Sequence, residues 1–321
     1  MKLENNNPPQ HFHICHVTKR ISHLPIQNFP KPIYFLHLQI GNYLPPISIR
    51  SISKSIPRLF VHHSSLITNH YKRSAEKRFR LHPQIFIMQI INPATEEVIA
   101  NISEDIQSTL ELKMQLLLTG QQRWAKIPLL QRVQVLQNFA DLLNENIEHL
   151  AATLTSEVGK PLQQSRNEVN GARNRIKWLT DNATKYLSDE WMTREEGLGE
   201  KITYEPLGVV CNISAWNYPF LVGVNVFVPA LLAGNAVLYK PSEYATLTGL
   251  QIEKLLKQAG VDEDAFHVAV GAKEVGEALL NLPFDGYFFT GSYRTGNYIY
   301  NKVASKMVPV GLELGGKDPL Y

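Results

Sequence analysis

From Val209 onward, short apolar runs alternate with longer amphipathic stretches, and this alternation restricts the fold more than any other feature of the chain. The strand candidates are Val209–Ser214, Ala236–Tyr239, Phe266–Val270, Tyr287–Phe289 and Val308–Leu314. Helical patterns lie between most of them, at Leu247–Gln258, Val275–Leu282 and Thr295–Lys306. Runs this short and this apolar suit strands covered on both faces, which is the arrangement that βαβ units produce. The expectation is an α/β fold, with a Rossmann-like parallel sheet and flanking helices. Ligands of such sheets sit at the carboxyl ends of the strands, so chemistry is to be sought there.

Upstream of the sheet, apolar residues recur at helical spacing in three stretches. Ile106, Leu110, Met114, Leu117 and Leu118 mark the first. Val133, Leu136, Phe139, Leu143, Ile147, Leu150 and Leu154 mark the second, and the third runs from Gln163 to Tyr186. Each gives an apolar stripe for a core and a solvated opposite face. Phe220–Tyr239 carries no charge over twenty residues, but Asn225, Pro229 and Asn235 interrupt it. A helix buried in an α/β core explains that stretch better than a membrane span.

Residues 1–87 differ from the rest. They hold 12 Lys/Arg, two acidic residues (Glu4 and Glu76) and nine of the 11 histidines, with no sustained helical or strand period. The remainder holds 20 Lys/Arg against 27 Asp/Glu, so the formal net charge of +3 averages a basic extension and an acidic body. No basic stripe suits nucleic acid. The basic, acid-poor stretch reads either as a targeting segment or as a non-native extension before Met88. Cys15 and Cys211 are the only cysteines and form no C-x-x-C pair, so neither a disulfide framework nor a metal site is expected, and the default compartment is reducing. The compartment expected is the cytoplasm, or the mitochondrion if residues 1–87 act as a transit peptide.

Four strand ends carry unusual polar residues. The first is followed by Ala215-Trp216-Asn217-Tyr218-Pro219, where Asn217 either caps a helix or aims its amide at a developing oxyanion. The second leads into Lys240-Pro241-Ser242-Glu243. A carboxylate there can bind ribose hydroxyls, and it disfavours the extra phosphate of NADP, so NAD is expected and NADP stays open. The fourth opens a helix with Thr290-Gly291-Ser292-Tyr293-Arg294-Thr295-Gly296, where glycines permit close approach and a helix N-terminus attracts phosphate. The last ends Leu312-Glu313-Leu314-Gly315-Gly316-Lys317. A Glu flanked by leucines is expected to be buried and raised toward the range of a general base, the alternative being an exposed strand-end carboxylate.

The order AWNYP, KPSE, FTGSYRTG and ELGGK, with INPATEE near Met88 and EVGKP at 157–161, resembles the aldehyde dehydrogenase superfamily over Met88–Tyr321. The resemblance implies oxidation of a small-molecule aldehyde to a carboxylic acid with NAD(P)+, through a cysteine thiolate and a thioester. It assigns oxyanion stabilisation to Asn217 and the water-activating base to Glu313, and it sets Trp216, Lys240, Ser242, Glu243, Gly291, Ser292 and Gly296 around the cofactor. It divides the chain into the extension 1–87, an NAD-binding domain with part of an oligomerisation arm at 88–314, and the start of a catalytic domain at 315–321. It also implies a homo-oligomeric parent. The family's nucleophile is expected beyond Lys317, and Cys211 precedes Asn217, so the chain as written is expected to be inactive. Two alternatives stay open: a non-catalytic NAD-binding or interaction protein, and a related reductase that reduces an activated acid.

Overall fold

Val209, Val210 and Cys211 are fully buried and form the middle of a parallel sheet. The computed structural model describes residues 18–25, 86–195 and 198–316. Among the described residues the first elements are β1 (Thr18–Pro25) and the hairpin β2 (Ile87–Ile91) and β3 (Val98–Ser103). Four helices follow: α1 (Gln107–Trp124), α2 (Leu129–Glu145), α3 (Ile147–Val158) and α4 (Leu162–Leu187). After β4 (Glu190–Glu195) and β5 (Leu198–Glu205), strands and helices alternate. They are β6 (Val209–Ile213), α5 (Pro219–Leu232), β7 (Ala236–Lys240), α6 (Thr246–Ala259), β8 (Phe266–Val268), α7 (Lys273–Leu279), β9 (Gly286–Gly291), α8 (Tyr293–Val303) and β10 (Val310–Leu314).

The five-stranded sheet runs β10-β9-β6-β7-β8, parallel at every pairing. From β6 the chain winds outward through β7 to β8, then returns to the other side of β6 for β9 and β10. Strand order therefore reverses between β6 and β9. Adjacent residues of β7 show that both faces are covered. Tyr239 meets Phe227 of α5, with ring centroids 5.7 Å apart, whereas a Cβ on Gly276 of α7 would stand 3.7 Å from the Lys240 side chain. Phe227 also packs edge-on against Phe139 and Phe266, which ties α2, α5 and β8 into one core. This is the α/β parallel sheet that the apolar runs predict.

The uncharged stretch from Phe220 resolves into the 14-residue α5, a turn and β7. No described helix is long and apolar enough to cross a membrane. Asn235 in that turn is structural: its Oδ1 accepts from Gly208 N at 3.0 Å and its Nδ2 donates to Ala230 O at 3.1 Å.

Three details depart from the sequence expectation. The second helical pattern is broken at Asn146 (φ −103°, ψ 11°), whose side-chain amide donates to Leu142 O at 2.8 Å. That local bond competes with the helix ladder, and the apolar spacing continues across a one-residue hinge. The antiparallel pair β4–β5 was not anticipated, because its sequence mixes charges with scattered apolar residues. Within the extension, Thr18–Pro25 forms a strand and pairs antiparallel with all eight residues of β5, although no strand period marks it. Residues 1–17 and 26–85 of the extension lie outside the described residues.

α1 crosses closely over the segment before β8. A Cβ on Gly120 would fall 2.3 Å from the Asp264 backbone, while Arg123, one turn on, holds Asp262 and Asp264 at 2.6 and 2.7 Å. Gly120→Ala is expected to cost ~1–3 kcal/mol through overpacking. A chemical-denaturation midpoint equal to that of the unsubstituted chain would refute this packing of α1.

Candidate functional site

A cleft of about 840 Å³ opens at the carboxyl ends of the strands, where strand order reverses between β6 and β9. Its size suits a cofactor-sized ligand. Its wall includes Trp216 and Asn217 after β6, Lys240, Ser242 and Glu243 after β7, Gly291 and Ser292 after β9, and Glu313 near the end of β10. Eight of the nine residues singled out in the sequence thus meet in one cavity, although up to 97 positions separate them.

Lys240 is the most unusual of them. It ends a strand buried throughout, is only 4% exposed, and donates from Nζ to the Pro241 carbonyl at 3.2 Å. Burial lowers its pKa, and Glu243 is the foremost group opposing that shift. Pro241 stops the strand, so the next residues turn across the mouth. Ser242 accepts from Tyr244 N at 3.4 Å and donates to Glu243 Oε2 at 3.3 Å, starting a short 3₁₀ turn. A buried ammonium and a partly exposed carboxylate therefore stand together at one end of the cleft, a donor and an acceptor suited to vicinal hydroxyls. Opposite them, Ser292 caps α8 by accepting from Thr295 N at 3.2 Å, which leaves the positive end of an 11-residue helix facing the cleft. Tyr298 donates to Glu277 at 2.7 Å across the neighbouring wall.

Two expectations are corrected. Glu313 is exposed: among the described residues β10 lies at one edge of the sheet, paired with β9. Gly296 is buried and does not line the cleft. A Cβ there would stand 2.5 Å from the Leu314 side chain, so it serves the close packing of α8 on β10.

The structure also brings in residues that the sequence reading left without roles. Glu157, in EVGKP, reaches the start of α6 and accepts from Leu247 N, from Thr248 N at 2.9 Å and from Thr248 Oγ1 at 2.9 Å. These donors belong to the first turn of α6, which has no helical partner for them. In the same motif, Lys160 donates to Glu168 and, at 2.6 Å, to the Asn217 carbonyl. Glu168 in turn accepts from Phe220 N at 2.9 Å. Burial raises the Glu168 carboxyl, and the Lys160 ammonium opposes that rise. Cys211 is fully buried in β6, and desolvation pushes its thiol up to about 12. Asp105 holds the turn after β8 by accepting from Val270 N at 2.7 Å and pairing with Lys113 at 2.6 Å.

Burial pushes the Glu157 carboxyl up to about 7, against the three hydrogen bonds it accepts. A folded-state pKa above the unfolded one means that folding takes up a proton. The stability this group contributes is fully present below the ordinary carboxylate range and is lost as pH rises through about 7. Glu157→Gln keeps an acceptor without the charge, so thermal stability should lose part of its decline between about pH 5 and pH 8. Identical pH–stability slopes for the variant and the unsubstituted chain would contradict that assignment.

A family model described as the aldehyde dehydrogenase family matches residues 83–321. The 3,6-anhydro-alpha-L-galactose dehydrogenase of Streptomyces coelicolor is 34% identical over 234 residues, which cover 72% of this chain and 47% of that protein. The enzyme of the same name from a Vibrio species is 34% identical over 235 residues, covering 72% and 48%. Among solved structures, a point mutant of betaine aldehyde dehydrogenase from Staphylococcus aureus in complex with NAD+ aligns with a TM-score of 0.69 at 30% identity, covering 73% of this chain and 48% of that one. A 3,6-anhydro-L-galactose dehydrogenase in complex with NADP aligns with a TM-score of 0.68 at 32% identity, covering 72% and 49%. The chain spans about half the length of the curated relatives it matches.

Proposed function

Since the chain belongs to the aldehyde dehydrogenase family, we propose that its cleft holds a nicotinamide dinucleotide and that its residues serve the oxidation of an aldehyde to a carboxylic acid. The observation that carries this reading is the meeting of Lys240, Glu243, Ser292, Asn217 and Glu313 at the reversal of strand order. The donor set fits the cofactor. Lys240 and Glu243 offer a cation and a carboxylate to the ribose hydroxyls, and the capped start of α8 offers a positive helix end to the pyrophosphate. Trp216, 52% exposed, flanks the same space. The carboxylate of Glu243 supports NAD over NADP, and the relatives whose structures hold each cofactor support dinucleotide use in general.

When bound, the dinucleotide supplies the acceptor for the hydride that leaves the aldehyde carbon. The chain's own residues act around that transfer. Asn217 lies on the exposed turn after β6, and its side-chain amide is the donor for the carbonyl oxygen as negative charge develops there. Glu313 opens to water at the sheet edge and takes the proton from the water that becomes part of the acid. Cys211 is not the nucleophile, because a thiol buried within β6 and raised to about 12 supplies no reachable thiolate. Residues 88–314 act as the cofactor-binding domain, with the β4–β5 pair part of an association arm. In this reading the cleft of the 321-residue chain binds the dinucleotide.

Isothermal titration of the chain with NAD+ is expected to show saturable binding, weaker binding of NADP+, and a further loss in Lys240→Ala. The variant loses about ten- to a hundredfold in affinity, the worth of a charge-assisted hydrogen bond of ~1.5–3 kcal/mol. Absence of NAD+ binding by the folded chain sinks the cofactor assignment.

A further inference from the structure

The loop Asn217–Phe220 carries the side chain on which the proposed chemistry turns, and its backbone is held by side chains from other elements. Its backbone is tied from outside at three points. Lys160 Nζ donates to the Asn217 carbonyl at 2.6 Å, Tyr239 Oη donates to the Pro219 carbonyl at 3.3 Å, and Glu168 accepts from Phe220 N at 2.9 Å. Lys160 and Glu168 also pair with each other, with side-chain exposures of 9% and 0%. The Lys160 ammonium lies 3.8 Å from the centroid of the Tyr218 ring. Its donors are thus directed at a carboxylate, a carbonyl and an aromatic face, which leaves it little capacity for chemistry of its own. Two desolvated charges are a poor device for stability alone, since an apolar pair of the same volume does as well or better. What an ion pair adds is direction: each of its members grips one end of the turn.

We propose that Lys160 and Glu168 are positioning residues for Asn217, a clamp that fixes the backbone of the Asn217–Phe220 turn and so aims the Asn217 amide into the cleft. The importance of that aim rests on the reading of Asn217 as the oxyanion donor. The clamp itself does not, and it can be measured without ligand or substrate. Lys160 comes from the loop after α3 and Glu168 from α4, both outside the parallel sheet. The helical layer therefore reaches across to set the geometry of a strand end 57 and 52 positions further along the chain.

The test is NMR of the full, ligand-free chain, following the side-chain amide of Asn217 and the indole of Trp216. The Asn217 signals are assigned by their loss in Asn217→Asp. Lys160→Met and Glu168→Gln are each expected to shift the Asn217 amide, and the double variant to shift it no further than the larger single change, because the two act as one unit. Lys160→Arg, which keeps the cation, should return the signals toward their original positions. The indole of Trp124, which donates to Leu231 O at 2.9 Å away from the cleft, should stay in place and serve as the control for the fold. Unmoved Asn217 signals in a folded Lys160→Met chain overturn the clamp. If that variant does not fold, the same criterion applies to Glu168→Gln, which retains an acceptor for Phe220 N. A chain that shows the shifts but binds no NAD+ keeps the clamp and loses the cofactor reading, so the two failures are distinguishable.

Discussion

A parallel sheet covered by helices on both faces can be approached only from its ends. In this chain the covering is thorough: β6 is buried along nearly its whole length, β7 along all of it, and α5 and α7 close opposite faces. The amino ends of the strands receive the incoming loops, and the carboxyl ends diverge where the chain reverses between β6 and β9. The polar residues at the strand ends owe their meeting in the cleft to that topology. Lys240, Asn217, Ser292 and Glu313 lie far apart in sequence and meet because each directly follows or ends a strand of the same sheet.

The apolar environment that builds the cleft also governs its charges. Lys240 and Glu157 are both pulled toward their neutral forms by burial, yet each is set where a backbone can answer it. Lys240 donates to the Pro241 carbonyl and feels the charge of Glu243, and Glu157 meets the unsatisfied first turn of α6. Glu157 thereby fastens α3 to α6, because a buried polar group left unmatched costs more than a matched one returns.

The sheet was legible in the sequence because its strands are short, apolar and separated by helical patterns, and all five candidates overlap observed strands. The cleft was legible through the same logic, since a polar residue just after an apolar run is already at a strand end. Other features left no such trace. The break at Asn146 preserves the apolar spacing on both sides, so periodicity cannot reveal it. Glu313 was expected inside because leucines flank it, but alternation along an edge strand turns it outward while Leu312 and Leu314 face α8 and the core. Gly296 belonged to the right loop and served packing instead. Glu157, Lys160 and Glu168 act on partners 52 to 91 residues away, and nothing local in EVGKP or in the start of α4 says which backbone groups they will reach.

Cys211 sits midway along β6, in register with Leu238 on one side and Tyr287 on the other. Its thiol has no route to water while those three strands stay paired. The rate at which a thiol reagent labels this position is therefore a clock for separation of the central strands, insensitive to fraying at the hairpins or breathing of the cleft rim. Nature has placed a reporter of global opening at the centre of the molecule, and it needs no engineered probe.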